Sequence, residues 1–78
     1  MTMLGYPAES AGGQILQYLQ RQGEAAVKDL AELLGVSATA VREHLVHLQA
    51  AGLVEARAER RGPGRPRLIY TLSEQAQS

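Results

Sequence analysis

The sequence predicts a mainly α-helical domain with a small antiparallel sheet, on three observations. Apolar residues recur at helical spacing over three stretches between residues 10 and 51. A glycine follows each stretch, at Gly23, Gly35 and Gly52. From Val54 the period drops to two, in two short runs that flank a Gly/Pro loop.

Residues 1–9 show no periodicity and are expected to form a flexible N-terminal segment. The first helix is predicted from about Ser10 to Gln22, with Ile15, Leu16 and Leu19 as its stripe and Tyr18 at the edge. Tyr18 suits the core or a protein interface. Gly12-Gly13 is no phosphate-binding fingerprint, because no strand precedes it and no third glycine follows. Glu24-Ala25-Ala26 has the length for a short strand. The second helix runs from about Val27 to Leu34, with Val27, Leu30, Ala31 and Leu34 on one face. Lys28, Asp29 and Glu32 fill the other face, and Gly35 closes the helix.

Ser37 is an N-cap for the third helix. Val36 and Val41 stand at hydrophobic-staple positions around it. The stripe continues through Leu45 and Leu48 to Gly52, where Leu53 can fold back on Leu48 in a Schellman motif. Val54, Ala56 and Ala58 then alternate with Glu55, Arg57 and Glu59. Leu68, Tyr70 and Leu72 alternate with Arg67, Ile69 and Thr71. These runs predict an antiparallel hairpin around Gly62-Pro63-Gly64-Arg65-Pro66. Residues 74–78 read as a polar tail.

A second and third helix joined by Leu34-Gly35-Val36-Ser37 have the spacing of a helix-turn-helix. A hairpin with a basic tip follows directly. The whole is a winged helix-turn-helix over residues 10–73, a three-helix core plus a β-hairpin wing.

With 78 residues the chain is a single small domain. Eight basic and eight acidic residues give zero formal charge, which excludes binding of polyanions by bulk charge alone. The absence of cysteine excludes disulfides, thiolate zinc sites and cysteine-ligated clusters in this chain. Apolar residues make up 45%, so a packed core is expected, and without Trp or Phe it must be largely aliphatic. No apolar run approaches a membrane span and no signal peptide is visible, so a cytoplasmic location is expected. The zero hides an asymmetry. Five of the eight basic residues, Arg57, Arg60, Arg61, Arg65 and Arg67, fall in one stretch opposed only by Glu59.

In a helix-turn-helix the third helix enters the major groove, N-terminal residues foremost. Its outer face presents Ser37, Thr39, Ala40, Arg42, Glu43 and His47 as candidate DNA contacts. Ser37 and Thr39 can bond phosphates or base edges. Arg42 can grip guanine O6 and N7, worth ~1–3 kcal/mol of discrimination. Glu43 can accept from cytosine N4 but repels phosphate. Ala38 and Ala40 allow close approach. The same face also suits a merely solvated amphipathic helix. In the wing, Arg60, Arg61, Arg65 and Arg67 are the candidates, on the minor groove or the backbone. Gly64-Arg65-Pro66 resembles the AT-hook tripeptide, which lays an arginine along a narrow minor groove. A solvated basic turn is the alternative.

His44 and His47 have a chelating i, i+3 spacing, but nothing completes a metal site, and none is predicted. His44 is expected to be partly buried beside the second helix. Tyr70 suits the core better than base stacking. No paired carboxylates or nucleophile–base set is present, so no enzyme is predicted.

Asp29-Leu30-Ala31-Glu32-Leu33-Leu34-Gly35-Val36-Ser37, then Ala40-Val41-Arg42-Glu43-His44-Leu45, resemble winged-helix transcriptional regulators of the broad DeoR/ArsR/MarR-like group. Leu48-Gln49-Ala50-Ala51-Gly52-Leu53-Val54 belongs to the same resemblance. The Gly64-Arg65-Pro66 wing with Tyr70 and Leu72-Ser73 is most similar to the N-terminal domain of iron–sulfur-responsive repressors. The resemblance spans about residues 12–73. It implies sequence-specific binding of double-stranded DNA as a regulator, commonly a repressor, with a homodimer on an inverted-repeat operator. Helix one and the N-terminal segment are the expected dimer surface. The cluster-ligating cysteines of those repressors lie beyond the wing, so no cofactor is carried over to this chain. Val46 departs from the pattern, standing where many relatives have a basic residue. Two rivals share the fold: a protein-interaction module, and an RNA-binding domain.

Overall fold

In a computed structural model that describes residues 2–60 and 62–77, Ser10 opens the first helix, α1 (Ala11–Gln22). Its Oγ accepts from the Gly13 N–H at 3.0 Å and donates to the Pro7 carbonyl at 2.7 Å. Strand β3 (Ala25–Ala26) leads straight into α2 (Val27–Leu34). Ala26 has no side-chain acceptor, so the Asp29 carboxylate caps α2 instead, accepting from the Ala26 N–H at 3.0 Å. The helix ends at Gly35, whose φ of 68° lies in the left-handed region where a Cβ is costly. The Gly35 and Val36 amides both bond the Ala31 carbonyl, at 2.8 and 3.2 Å.

Ser37 caps α3 (Ala38–Ala50), its Oγ accepting from the Ala40 N–H at 3.1 Å. Val41 is fully buried, while Val36 before the cap is 42% exposed. α3 ends in the Schellman pattern: Gly52 N–H to Gln49 O at 2.9 Å and Leu53 N–H to Leu48 O at 3.0 Å.

β4 (Val54–Glu59) and β5 (Arg67–Leu72) pair antiparallel, from Val54↔Leu72 to Glu59↔Arg67. β5 also pairs with β3, through Ala25↔Tyr70 and Ala26↔Ile69, so the strand order is β3-β5-β4. One core joins all layers. It holds Ile15, Leu16 and Leu19 of α1, Leu30 of α2, Val41, Leu45 and Leu48 of α3, and Val54, Tyr70 and Leu72 of the sheet. Tyr70 therefore packs in the core.

The alternation in β5 assigns faces correctly but not burial. Leu68 shares a face with Tyr70 but extends past the core and is 49% exposed, whereas Ile69 on the opposite face is only 2% exposed. Arg57 explains the difference. It stands on β4, yet its guanidinium donates to Glu24, next to β3, at 3.1 Å. β5 lies between those strands, so the Arg57 side chain crosses above Ile69, its cross-strand neighbour.

Within the segment 1–9, expected to be flexible, the described residues 2–9 carry local structure. β1 (Thr2–Met3) and β2 (Tyr6–Pro7) form a small hairpin packed on α1. Leu4 and Gly5 make its two-residue turn with φ of 52° and 90°, the signs of a type I′ turn. Gln14 and Gln17 donate to the Glu9 and Ala8 carbonyls, each at 2.9 Å. A Cβ on Gly13 would fall on the Pro7 carbonyl oxygen, so only glycine permits this approach. In the polar tail, Glu74–Gln77 forms a helical turn, α4. Buried Ser73 caps it, accepting from Ala76 N–H at 3.1 Å while its Oγ donates to Gly52 O at 2.6 Å.

An exposed ion pair alone contributes ~0–1 kcal/mol, so Arg57 and Glu24 separate two roles. Arg57→Ala should destabilise by ~1 kcal/mol or more through the uncovered Ile69. Arg57→Met should retain most of that stability, and Glu24→Ala should cost little. Denaturant titration of the three variants checks this, and equal losses in Arg57→Met and Arg57→Ala would refute the covering role.

Candidate nucleic-acid interface

The buried stripe of α3 fixes what its other face offers. With Val41, Leu45 and Leu48 inward, a turn of about 100° per residue sets Thr39, Glu43, Val46 and Ala50 opposite the core. Arg42 and His47 flank this stripe, and all six residues are exposed. Ser37 is exposed at the start of the helix, while Ala40 is half-buried at its side. The Ser37 hydroxyl already accepts from the Ala40 amide, which leaves its O–H to act as a donor. His44 is half-buried. Among the described residues, no group of three or more His, Cys, Asp or Glu side chains could hold a metal ion.

Arg60, Arg65 and Arg67 are exposed on the wing. Arg61, a fourth predicted contact, lies outside the described residues. Arg67 donates to Glu59 at 3.3 Å, and Glu59 also stands 3.7 Å from Arg57. Among the described residues, Arg60 and Arg65 make no hydrogen bond or ion pair. Glu24, Arg57, Glu59 and Arg67 thus form a charge ladder on the outer face of the sheet, which leaves Arg65 and Arg60 as the uncommitted cations among the wing's described residues.

Between helix and wing lies an open groove of about 430 Å³. Arg42 of α3, Arg67 of β5 and Lys28 of α2 all line it, with Val27, Pro66 and Leu68. Arg42 and Arg67 were predicted contacts, and the fold brings them together. Lys28 was not singled out in the sequence. Its signal was position: it stands in the first turn of the first helix of the helix-turn-helix, the helix that crosses a DNA backbone in this motif. Val46 is the other addition. At 61% exposure it is the most exposed large apolar side chain among the described residues.

A free recognition-type helix beside a basic two-stranded wing, joined by one core, defines the winged-helix class of regulators. A sequence model of the bacterial regulatory protein, arsR family, matches residues 14–56, more than half of the chain. The chain belongs to that family, which is one of regulators and not of enzymes, in keeping with the sequence. The finer likeness to iron–sulfur-responsive repressors rests on the wing sequence alone.

Solved structures agree on the fold. Reduced HlyU from Vibrio cholerae is 32% identical over 90% of this chain and 68% of its own, with a TM-score of 0.72. Apo ZitR from Lactococcus lactis is 28% identical over 87% of this chain and 49% of its own, with a TM-score of 0.73. PadR from Bacillus subtilis, solved in complex with operator DNA, is 23% identical over 91% of this chain and 44% of its own, with a TM-score of 0.73. That last likeness bears on the fold alone. The chain spans about half the length of ZitR and less than half of PadR. No curated protein matches the chain in sequence.

The cap on α3 can be tested apart from any ligand. Ser37→Ala should cost ~1 kcal/mol, lowering the melting temperature by roughly 4–8 °C for a domain of this size. Thr39→Ala, at an exposed position with no bond to lose, should stay within about 0.5 kcal/mol of the parent. Thermal melts of both variants give the comparison.

Proposed function

We propose that the chain binds double-stranded DNA sequence-specifically as a transcriptional regulator. α3 lies in the major groove, and the wing at residues 60–67 holds the adjacent minor groove or its phosphates. The convergence of Lys28, Arg42 and Arg67 on one groove carries this reading. Three basic residues from three elements line the same space, Arg67 with its guanidinium also bonded to Glu59, and the uncommitted Arg60 and Arg65 continue the positive surface along the wing. Each phosphate neutralised adds ~0.9 to the slope of log affinity against log salt. The outward face of α3 is mainly polar, through Thr39, Arg42, Glu43 and His47, which favours base reading over an apolar docking face.

The chain acts on an inverted-repeat operator as a homodimer, commonly as a repressor in the cytoplasm. Zero net charge supports the need for a second subunit, because one wing gives only modest attraction. The dimer surface is α1 with the N-terminal hairpin, where Leu4 is 39% exposed. The reading requires no cofactor from this chain. No described helix is long and apolar enough to cross a membrane.

Fragments selected from random duplex DNA should contain an inverted repeat. Enrichment of single half-sites would contradict the dimer, and no enrichment would contradict DNA reading altogether. On the selected site, Arg65→Ala should weaken binding to every sequence and flatten the salt slope by ~0.9. Arg42→Ala should instead relax preference at one base pair by ~1–3 kcal/mol. Salt titrations that superimpose for Arg65→Ala and the parent would refute the wing assignment.

A further inference from the structure

The outward stripe of α3 changes character along its length. Thr39 and Glu43 supply hydrogen-bonding groups in its first half, and Val46 and Ala50 supply none in its second, while Arg42 and His47 stand on its flanks. Val46 is 61% exposed, so its side chain contributes little to the core. The core stripe of α3 is complete without it, because Val41, Leu45 and Leu48 are each at most 1% exposed. A branched apolar side chain at the middle of the outward face therefore meets whatever α3 meets.

We infer that Val46 is a specificity residue that selects a thymine by packing on its 5-methyl group; this rests on the proposed seating of α3 in the major groove. The chemistry leaves one target. Base edges in the major groove are hydrogen-bond donors and acceptors, apart from the thymine methyl and the smaller C5–H of cytosine, and only the methyl offers an apolar group of a size that Val46 can cover. Val46 would bury an amine or a carbonyl edge without a partner, which costs free energy. Against the methyl, both apolar surfaces leave water together.

The position of that thymine follows from helix geometry. Val46 stands four residues after Arg42, which is about 6 Å along the axis and on a neighbouring part of the same face. Base pairs rise ~3.4 Å each. The thymine therefore lies within about two base pairs of the guanine that Arg42 grips. Glu43 shares the stripe with Val46, and its charge disfavours a phosphate contact beside it.

Replacing thymine by uracil removes only the methyl. Each thymine of a site selected from random duplex is replaced in turn, and affinity is measured for the full chain and for Val46→Ala. An exposed helix position tolerates alanine, so the variant folds as the parent does. At one position within about two base pairs of the Arg42 guanine, uracil should weaken the parent about fourfold, the loss for one buried methyl-sized group. Val46→Ala should bind thymine and uracil there equally. If the site is bound but no uracil substitution acts differently on the two proteins, the Val46 assignment is overturned and DNA reading stands. If no duplex is bound, both fall.

Discussion

Strand β5 holds this molecule together, because it is paired on both edges. β4 on one side makes it half of the wing. β3 on the other ties it to the two residues that lead into α2. Tyr70 stands at the crossing, opposite Ala25 and Ala56 at once, with its ring in the core that α3 also fills. A hairpin alone is at best marginally stable in water. Here it becomes part of a three-stranded sheet whose inner face is the core of the helices. The wing therefore has a fixed position relative to the helix-turn-helix, and Lys28, Arg42 and Arg67 share a groove for that reason.

The sheet also sorts charge. Its outer face carries the ladder of Glu24, Arg57, Glu59 and Arg67, in which cations and anions offset one another and Arg57 shields Ile69. Exposed pairs of this kind contribute little stability through charge. Their effect is to commit Arg57 to the fold and to hold Arg67 beside Glu59. Among the described residues, attraction for an anion then falls mainly to Lys28, Arg42, Arg60 and Arg65, with the charge of Arg67 partly offset by Glu59. A chain of zero net charge can thus present a basic surface along one edge, and that edge is the one where α3 stands free.

Much of this was legible in the sequence because capping and periodicity are local. Ser10, Ser37, Gly35 and Gly52 mark helix ends by their own hydrogen bonds and backbone angles, and the helices begin and end beside them. Tyr70 was assignable to the core from alternation. The N-terminal hairpin was not legible, because strands of two residues have no period and Leu4 is an unusual residue at a positive φ. Its trace was the Gly12-Gly13 pair, needed for close approach of Tyr6 and Pro7. The burial of Ile69 and the exposure of Leu68 were not legible, because alternation separates two faces but does not show where a strand outruns its core. Lys28 was missed because its partnership with Arg42 and Arg67 depends on the pairing of β3 with β5, a tertiary fact that no local pattern encodes.

The central claim is that α2, α3 and the wing present one continuous surface to a duplex. Nuclear magnetic resonance of the isotopically labelled chain, titrated with duplex DNA, tests it most directly. The account predicts that backbone signals shift together at Lys28, from Thr39 to His47, and across Arg60 and Arg65, while Glu55 and Thr71 on the outer face of the sheet stay unmoved. Shifts centred on the outer sheet face or on α4, with α3 and the wing unaffected, would contradict it.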